Sequence, residues 1–410
     1  MRKAWLLCCL AGLGWPAYAE PLSFSDALSR AASDSPLVEA RASSARAAEL
    51  SVGPADQLPD PQLVLGLQNV PIEGPNAYRL DREQMTMQSI GIMQDMPSGA
   101  ERRARRAMAA AEAGRAEAGL DLARLEARLN AARAWISAYY AEQRVDVLTT
   151  LSHEARASAE AARGRLAAGA ASVDETIAAE IEAARIEDRS ADAAAAVIAA
   201  RAELRRWIGE AGSEPLAAEA PDFTVDPEHL RAHLARHPGL LAFQAEQALA
   251  DANVRMARAE RVPDWSWTAM YQRRDDAYGD MASVEVRIGL PLFQAWRQGP
   301  LVEARRADQR AVASERLATE REHLAMLEAG LAEYAATQAN LERARASRLP
   351  LARQRADAAG GAFAGGTMSA SALIAARRDA LEAELDVIEL SERLAMLGAA
   401  LTLQYGEAMP

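Results

Sequence analysis

The sequence predicts a mainly α-helical protein with a pair of β-hairpins, built as two copies of one unit in which a strand hairpin leads to a long helix and a returning helix. Three observations predict it. Tyr139 and Tyr334 stand at equivalent points of the two copies, as do Leu129 and Leu324, Ile136 and Leu331, Gly169 and Gly366, and Ser172 and Ser369. Both copies close on Gly-Glu-Ala, at Gly209 to Ala211 and at Gly406 to Ala408. Shared Ala, Arg and Glu content would not hold glycines and tyrosines in register, so this is an internal repeat. The second observation is period-two alternation of apolar and polar residues in four short segments. The third is a sustained 4-3 spacing of apolar residues in two long segments.

The chain opens with Arg2 and Lys3, an apolar run from Ala4 to Trp15, then Pro16 and Ala17-Tyr18-Ala19 before Glu20. A basic start, an apolar run too short to span a bilayer and a small-x-small site read as a cleaved export signal over residues 1–19. Cys8 and Cys9 fall inside it, so the exported chain has no cysteine and is held by packing or assembly rather than disulfides. Cleavage moves the net charge from −12 to about −14, because Arg2 and Lys3 leave, and that acidic balance argues against a nucleic-acid partner. No later stretch approaches the roughly 20 apolar residues of a membrane helix, so if the protein crosses a membrane it does so as strands.

Repeat 1 spans residues 20–209, a linker 210–226, and repeat 2 residues 227–410. Each repeat starts with a helix of about 35 residues opened by proline, at Ser35-Pro36 and at His237-Pro238, since proline at a first helical position loses no hydrogen bond. Prolines stop these helices, Pro54 to Pro61 in one copy and Pro263 in the other. Strands follow at about 62–68 and 84–95, then at about 264–272 and 283–292. Leu63, Leu65 and Leu67 oppose Val64, Gly66 and Gln68; Trp265, Trp267 and Tyr271 oppose Ser266, Thr268 and Gln272; Val284, Val286, Ile288 and Leu290 oppose Glu285, Arg287 and Gly289. Met85 to Gln94 alternates less cleanly.

Long helices are expected over about 99–164 and 296–363, each about 100 Å at 1.5 Å per residue. Leu122, Leu125, Leu129, Ala132, Ile136 and Tyr139 follow the heptad spacing in the first, and Leu317, Leu324, Leu327, Leu331, Tyr334 and Leu341 in the second. Turns at Gly169 and Gly366 reverse the chain into returning helices at about 172–208 and 369–405. A returning helix covers half of its long partner, and the proline-opened helix supplies the other half.

So long and thin a unit cannot bury its surfaces alone, and four strands cannot close a membrane barrel. Self-association is required. Closing the strands across several chains removes every free edge, and Trp265, Trp267 and Tyr271 then suit the lipid interface. Heptad helices packed side by side would continue that barrel as a tube, a conduit from an outer membrane into the periplasm.

At this point the mature chain resembles the TolC-type outer-membrane efflux channels along nearly its whole length. The resemblance rests on the duplicated plan, the strand-to-helix junctions, and the tips Arg165-Leu166-x-x-Gly169-x-x-Ser172 and Gly365-Gly366-Thr367-x-Ser369. Gly289-Leu290-Pro291-Leu292-Phe293 followed by Arg297-Gln298-Gly299 is similar to the cobalt-zinc-cadmium, or heavy-metal, branch, where Pro-Leu-Phe precedes Arg-Asn-Gln-Gly; the Asn is absent here. The family implies a homotrimer with a 12-stranded β-barrel in the outer membrane, continued by a periplasmic α-helical barrel. It also implies a periplasmic adaptor, an inner-membrane pump of RND type, no cofactor and no chemistry of its own, with gating at the helix tips.

On that plan Arg165, Leu166, Gly169, Ser172, Gly366, Thr367 and Ser369 are the expected adaptor contacts, although glycines at helix turns also need no partner. Asp174 and Glu175 would form a ring of carboxylates in a threefold assembly, or serve simply as acids in the first turn of a helix. Family members carry lumen-facing aspartates at the second tip, whereas Ala372 to Ala375 has none. Glu285 and Arg287 alternate with apolar residues and are expected in the wet barrel interior. His229, His233 and His237 have helical spacing suited to a metal, but Pro238 disfavours helix at His237 and solvated histidines are the simpler reading. No nucleophile-base-acid set, phosphate loop or metal-spaced cluster marks an enzyme. A periplasmic adaptor would have one helical hairpin between split β-domains, and a coiled-coil structural protein would leave the amphipathic strands idle. Drugs or secreted proteins are the alternative cargo.

Overall fold

The computed structural model describes residues 21–406, and the export signal and the final Glu407 and Ala408 lie outside them. The first repeat contains α1 (Phe24–Asp34), α2 (Pro36–Val52), β1 (Gln62–Gln68), β2 (Met87–Met96), α3 (Gly99–Ala167) and α4 (Val173–Ile208). The second contains α5 (Pro227–His233), α6 (Pro238–Ala259), β3 (Trp265–Arg273), β4 (Met281–Ile288), α7 (Gln298–Arg343), α8 (Leu349–Ala364) and α9 (Ala370–Tyr405). Pro36 and Pro238 each stand at the first position of a helix, as their missing N–H dictates. These helices are 17 and 22 residues long, not the expected 35, because α2 stops at Val52 before Pro54 and α6 stops at Ala259. The chain breaks at Ser35 and His237 make α1 and α5 separate elements.

Helix α3 runs unbroken for 69 residues, about 100 Å. Its counterpart is broken, which corrects the reading of one helix over 296–363. A five-residue π turn, Ala344–Arg348, separates α7 from α8. Pro350 is the cause: it has no N–H for the carbonyl four residues back, and widening the preceding turn lets the helix continue past its ring. Helices α2, α4 and α6 all pack along α3, and α9 packs against both α3 and the α7–α8 stave. Arg106 bridges to Asp56 at 2.8 Å near the sheet, and Arg163 bridges from α3 to Glu180 of α4 at 2.5 Å near the tip. Alanine lines much of this contact, Ala127, Ala131, Ala132, Ala134 and Ala138 being buried, so the helices approach closely without large side chains between them.

The largest core cluster sits at mid-length and includes part of the linker. Trp135 is 0 % exposed; its ring stacks on Tyr139 at 5.3 Å and meets Phe24 edge-on at 5.6 Å. Its indole N–H donates to the carbonyl of Leu22 at 3.1 Å. Leu22 in turn pairs with the linker, donating to Pro215 and accepting from Ala217. The repeat-equivalent tyrosines bind the same linker: Tyr139 donates to the carbonyl of Ala218 at 3.0 Å and Tyr334 to that of Phe223 at 2.8 Å. The linker is therefore a belt fastened to both long helices, where the sequence suggests only a connector.

All four strands form one antiparallel sheet in the order β1-β2-β3-β4. Each hairpin pairs internally, and the β2–β3 seam joins them. The register collects the side chains into two faces. Leu63, Leu65 and Leu67, Ile90 and Ile92, Trp267 and Tyr271, and Val284, Val286 and Ile288 share one face; Ser89, Gly91, Thr268, Gln272, Glu285 and Arg287 share the other. Strand β2 runs Met87–Met96 rather than the expected 84–95, and β4 runs Met281–Ile288 rather than 283–292, because pairing with the neighbouring strands sets their ends.

Candidate functional site

Two regions carry the features singled out by the sequence: the sheet, and the paired turns at the far end of the helices. On the sheet the apolar face is the uncovered one. Leu65 is 68 % exposed and Val286 56 %, and their same-face neighbours Leu63, Leu67, Ile90, Ile92, Val284 and Ile288 are exposed too. Water does not tolerate a contiguous apolar face of this extent, whereas lipid does. Trp265 and Tyr271 stand near opposite ends of β3, about 20 Å apart along the strand. That is close to the roughly 25 Å apolar band of a membrane barrel. Trp267 lies one step in from Trp265, opposite Gln94 and Val286.

The polar face is built differently. Arg287 pairs with Glu285 at 3.0 Å, Gln272 donates to Ser283 Oγ at 3.1 Å, and Ser89 Oγ donates to the carbonyl of Gly66 at 3.1 Å. Gly91 is needed at the seam, because a Cβ there would stand 2.5 Å from both the carbonyl oxygen of Ala269 and Cγ of Met270. Below the sheet the backbone N–H of Ser98 donates to Asp264 at 2.6 Å, locking the start of α3 to the start of β3. Nearby Glu101 is raised above the usual carboxylate range by burial and by Asp264.

At the far end both tips close with the same backbone motif. In the first, Ala170 N–H bonds to the carbonyl of Arg165 at 2.7 Å and Gly169 N–H to that of Leu166 at 2.9 Å. In the second, Thr367 N–H bonds to Ala362 at 2.9 Å and Gly366 N–H to Phe363 at 3.1 Å. This paired closure requires a left-handed residue, supplied by Gly169 and Gly366, each at φ +71°. Ser172 and Ser369 then cap the returning helices, accepting from the N–H groups of Glu175 and Ala372. The tips touch: the Arg165 guanidinium lies over the Phe363 ring, 4.5 Å from its centroid. Sequence reading singled out Arg165 in the tip motif but missed this contact, because Phe363 lies in the other repeat and belongs to no motif. Above the tips a groove of about 850 Å³ runs between the helical pairs, lined by Leu151, Ser158, Ile186, Phe363, Leu373 and Leu381 among others.

Asp174 is exposed beside the first tip. Glu175 is half-buried and engaged in a capping box: its carboxylate accepts from Ser172 N–H at 3.3 Å while its own N–H bonds to Ser172 Oγ. The cap accounts for Glu175 without any pore.

Among the described residues no group of three or more His, Cys, Asp or Glu is arranged to hold a metal. His229 and His233 stack at 4.1 Å, but His237 turns away and, contrary to the solvated reading, is buried at a tilt against His323 at 4.0 Å, beside Tyr405. His237 Nδ1 accepts from Gly239 N–H at 3.0 Å and caps α6, so in the neutral ring the proton is on Nε2 and neither nitrogen is open to a cation. Burial, and then the neighbouring His323, push His237 down to about 4. His323 is lowered by burial as well, against a raising influence from Glu322. A base whose pKa falls on folding stabilises the protein above its unfolded value, about 6.5, and loses that contribution as pH falls toward about 4. Thermal melts should therefore show the wild type losing stability across this window faster than His237→Asn, which keeps a capping acceptor but cannot protonate. Parallel pH profiles for the two proteins would contradict the assignment.

Residues 230–407 match the outer membrane efflux protein family. The cobalt-zinc-cadmium resistance protein CzcC of Cupriavidus metallidurans is 29 % identical over 298 residues, which cover 71 % of this chain and 68 % of CzcC. The crystal structure of the outer membrane protein VceC from Vibrio cholerae shares the fold with a TM-score of 0.74 at 18 % identity, over 93 % of this chain and 96 % of that one. CusC, crystallised in a study of transmembrane channel formation, matches with a TM-score of 0.75 at 14 % identity, over 96 % of this chain and 94 % of its own. The open state of the Neisseria gonorrhoeae MtrE outer membrane channel gives 0.73 at 16 %, over 93 % and 88 %. With its strand sheet and duplicated helical staves, the chain shares the fold of these outer-membrane channels, and its second half matches the outer membrane efflux protein family.

Proposed function

We propose that this channel is the exit duct of a tripartite heavy-metal efflux system, passively conducting divalent transition-metal cations delivered by a periplasmic adaptor and an inner-membrane pump of RND type. The likeness to CzcC carries the metal assignment, since the chain itself holds no metal-binding cluster among its described residues and a conduit needs none. In this reading three copies close a 12-stranded barrel whose outer face is the exposed apolar sheet face. Trp265, Trp267 and Tyr271 meet lipid and its interfaces, and Glu285 and Arg287 line the lumen. The adaptor docks on Arg165, Leu166, Gly169, Ser172, Gly366, Thr367 and Ser369, whose two turns lie side by side through the Arg165–Phe363 contact.

The gate lies at these tips, with Asp174 as the better acidic lining residue because the Glu175 carboxylate is engaged in its cap. A ring of carboxylates repels anions and favours cations. Deletion of the gene is expected to raise sensitivity to zinc, cobalt or cadmium, with restoration by the wild-type gene. Unchanged metal tolerance accompanied by new drug sensitivity would assign the duct to drugs instead.

A further inference from the structure

We propose that the barrel closes between copies in one defined strand register, with Leu290 of β4's extension opposite Leu65 of the neighbouring copy and Ile288 opposite that copy's Leu67. The proposal rests on the trimeric reading above and adds to it the identity of the paired residues. Strands β1 and β4 are the free edges of the sheet. The β2–β3 seam already joins the last strand of one hairpin to the first strand of the next, so the internal repeat makes it a template for the seam between β4 and a neighbouring β1.

The transfer needs only the observed registers. Aligning Pro61 with Pro263 sets Leu63 on Trp265, Leu65 on Trp267 and Leu67 on Ala269. Within the hairpins Leu63 faces Ile92 and Trp265 faces Ile288, so Ile92 corresponds to Ile288 and Gln94 to Leu290. At the internal seam Ile92 faces Ala269 and Gln94 faces Trp267. Carried to the neighbouring copy, these pairs become Ile288 with Leu67 and Leu290 with Leu65.

Three further observations agree with it. Both pairs join side chains of the apolar face, and the same register sets Arg287 opposite Gln68, polar face to polar face; a slip of one residue would mix the faces. Leu290 is 67 % exposed although it continues the alternation of Val284, Val286 and Ile288. The backbone is also phased for the pairing. Gly289 N–H points inward to the carbonyl of Asp264 at 2.8 Å, so the next N–H, that of Leu290, points to the free edge. Pro291, which has no N–H, then falls on the inward side beyond the end of β3, where no ladder bond is lost. Leu292 N–H folds back to the carbonyl of Leu290 at 2.9 Å and ends the strand.

Pairing of Leu290→Cys with Leu65→Cys tests the register, since the sequence has no cysteine beyond Cys8 and Cys9 in the predicted signal. In outer membranes, a cross-linker with two thiol-reactive groups about 5 Å apart is expected to convert the monomer band on denaturing gels to covalent dimers and trimers. Ile288→Cys with Leu67→Cys should do the same and covers the case in which the first variant fails to fold. Preferential linking of Leu290→Cys to Leu63→Cys or Leu67→Cys, or a trimer in which none of these pairs links, overturns the register. A detergent-solubilised wild type that scatters light as a monomer overturns the trimeric reading beneath it.

Discussion

Val286→Arg is expected to abolish assembly in the outer membrane, while Thr268→Arg, two strands' width or less away, is expected to be tolerated. Val286 lies mid-strand on the exposed apolar face, opposite Trp267. An arginine facing lipid near the middle of a barrel costs about 2–4 kcal/mol, and a threefold assembly repeats it to about 6–12 kcal/mol. That rivals the entire net stability of a typical domain, about 5–15 kcal/mol. Thr268 is on the other face, opposite Glu285, where an arginine meets a carboxylate and water. The measurement is the yield of heat-resistant oligomer in outer-membrane fractions. Wild-type yield from Val286→Arg would mean that the apolar face does not meet lipid, and loss from Thr268→Arg would mean that the polar face does.

The contrast depends on a part of the fold that was legible in the sequence. Strands announce themselves through period two, and β1 occupies the segment Gln62 to Gln68 that alternation marks out. Strand β2 was harder, because Met87, Met93 and Met96 are apolar on both phases and its end is fixed only by pairing with β1 and β3. The long helices show the opposite failure. In the second, the heptad residues end at Leu341, ahead of Pro350, so the apolar pattern says nothing about the break, and the π turn is a backbone response that leaves no trace in it.

The tips divide in the same way. Gly169 and Gly366 mark the reversals because the closing motif needs a left-handed residue, and sequence carries that demand directly. That Arg165 reaches Phe363 follows only from the lateral packing of two hairpins. Likewise Tyr139 and Tyr334 were visibly in register, but their partners are backbone carbonyls of the linker, which no residue type identifies. The histidines, read as solvated, divide: His229 is exposed, whereas His237 is buried against His323 and Tyr405 once Pro238 starts a new helix.

The belt formed by that linker is where a single truncation should do most damage to the folded chain. Trp135→Ala removes a fully buried ring from the meeting point of α1, α3 and the linker, together with its stack on Tyr139 and its edge contact with Phe24. Truncations of this kind cost about 3–5 kcal/mol through lost burial and the cavity left behind. Trp135→Phe should cost far less, about 0.5–1.5 kcal/mol for the lost hydrogen bond, because the Leu22 carbonyl still accepts from Ala217 N–H at 3.0 Å. Thermal unfolding followed by helical circular dichroism should separate the two variants clearly, with Trp135→Ala melting well below Trp135→Phe. Equal melting of both with the wild type would mean that the two staves hold together along their alanine-lined contacts alone and that the belt is dispensable. A large loss in Trp135→Ala that Tyr139→Ala does not deepen would instead establish that ring and belt act as one unit, since coupled neighbours are non-additive.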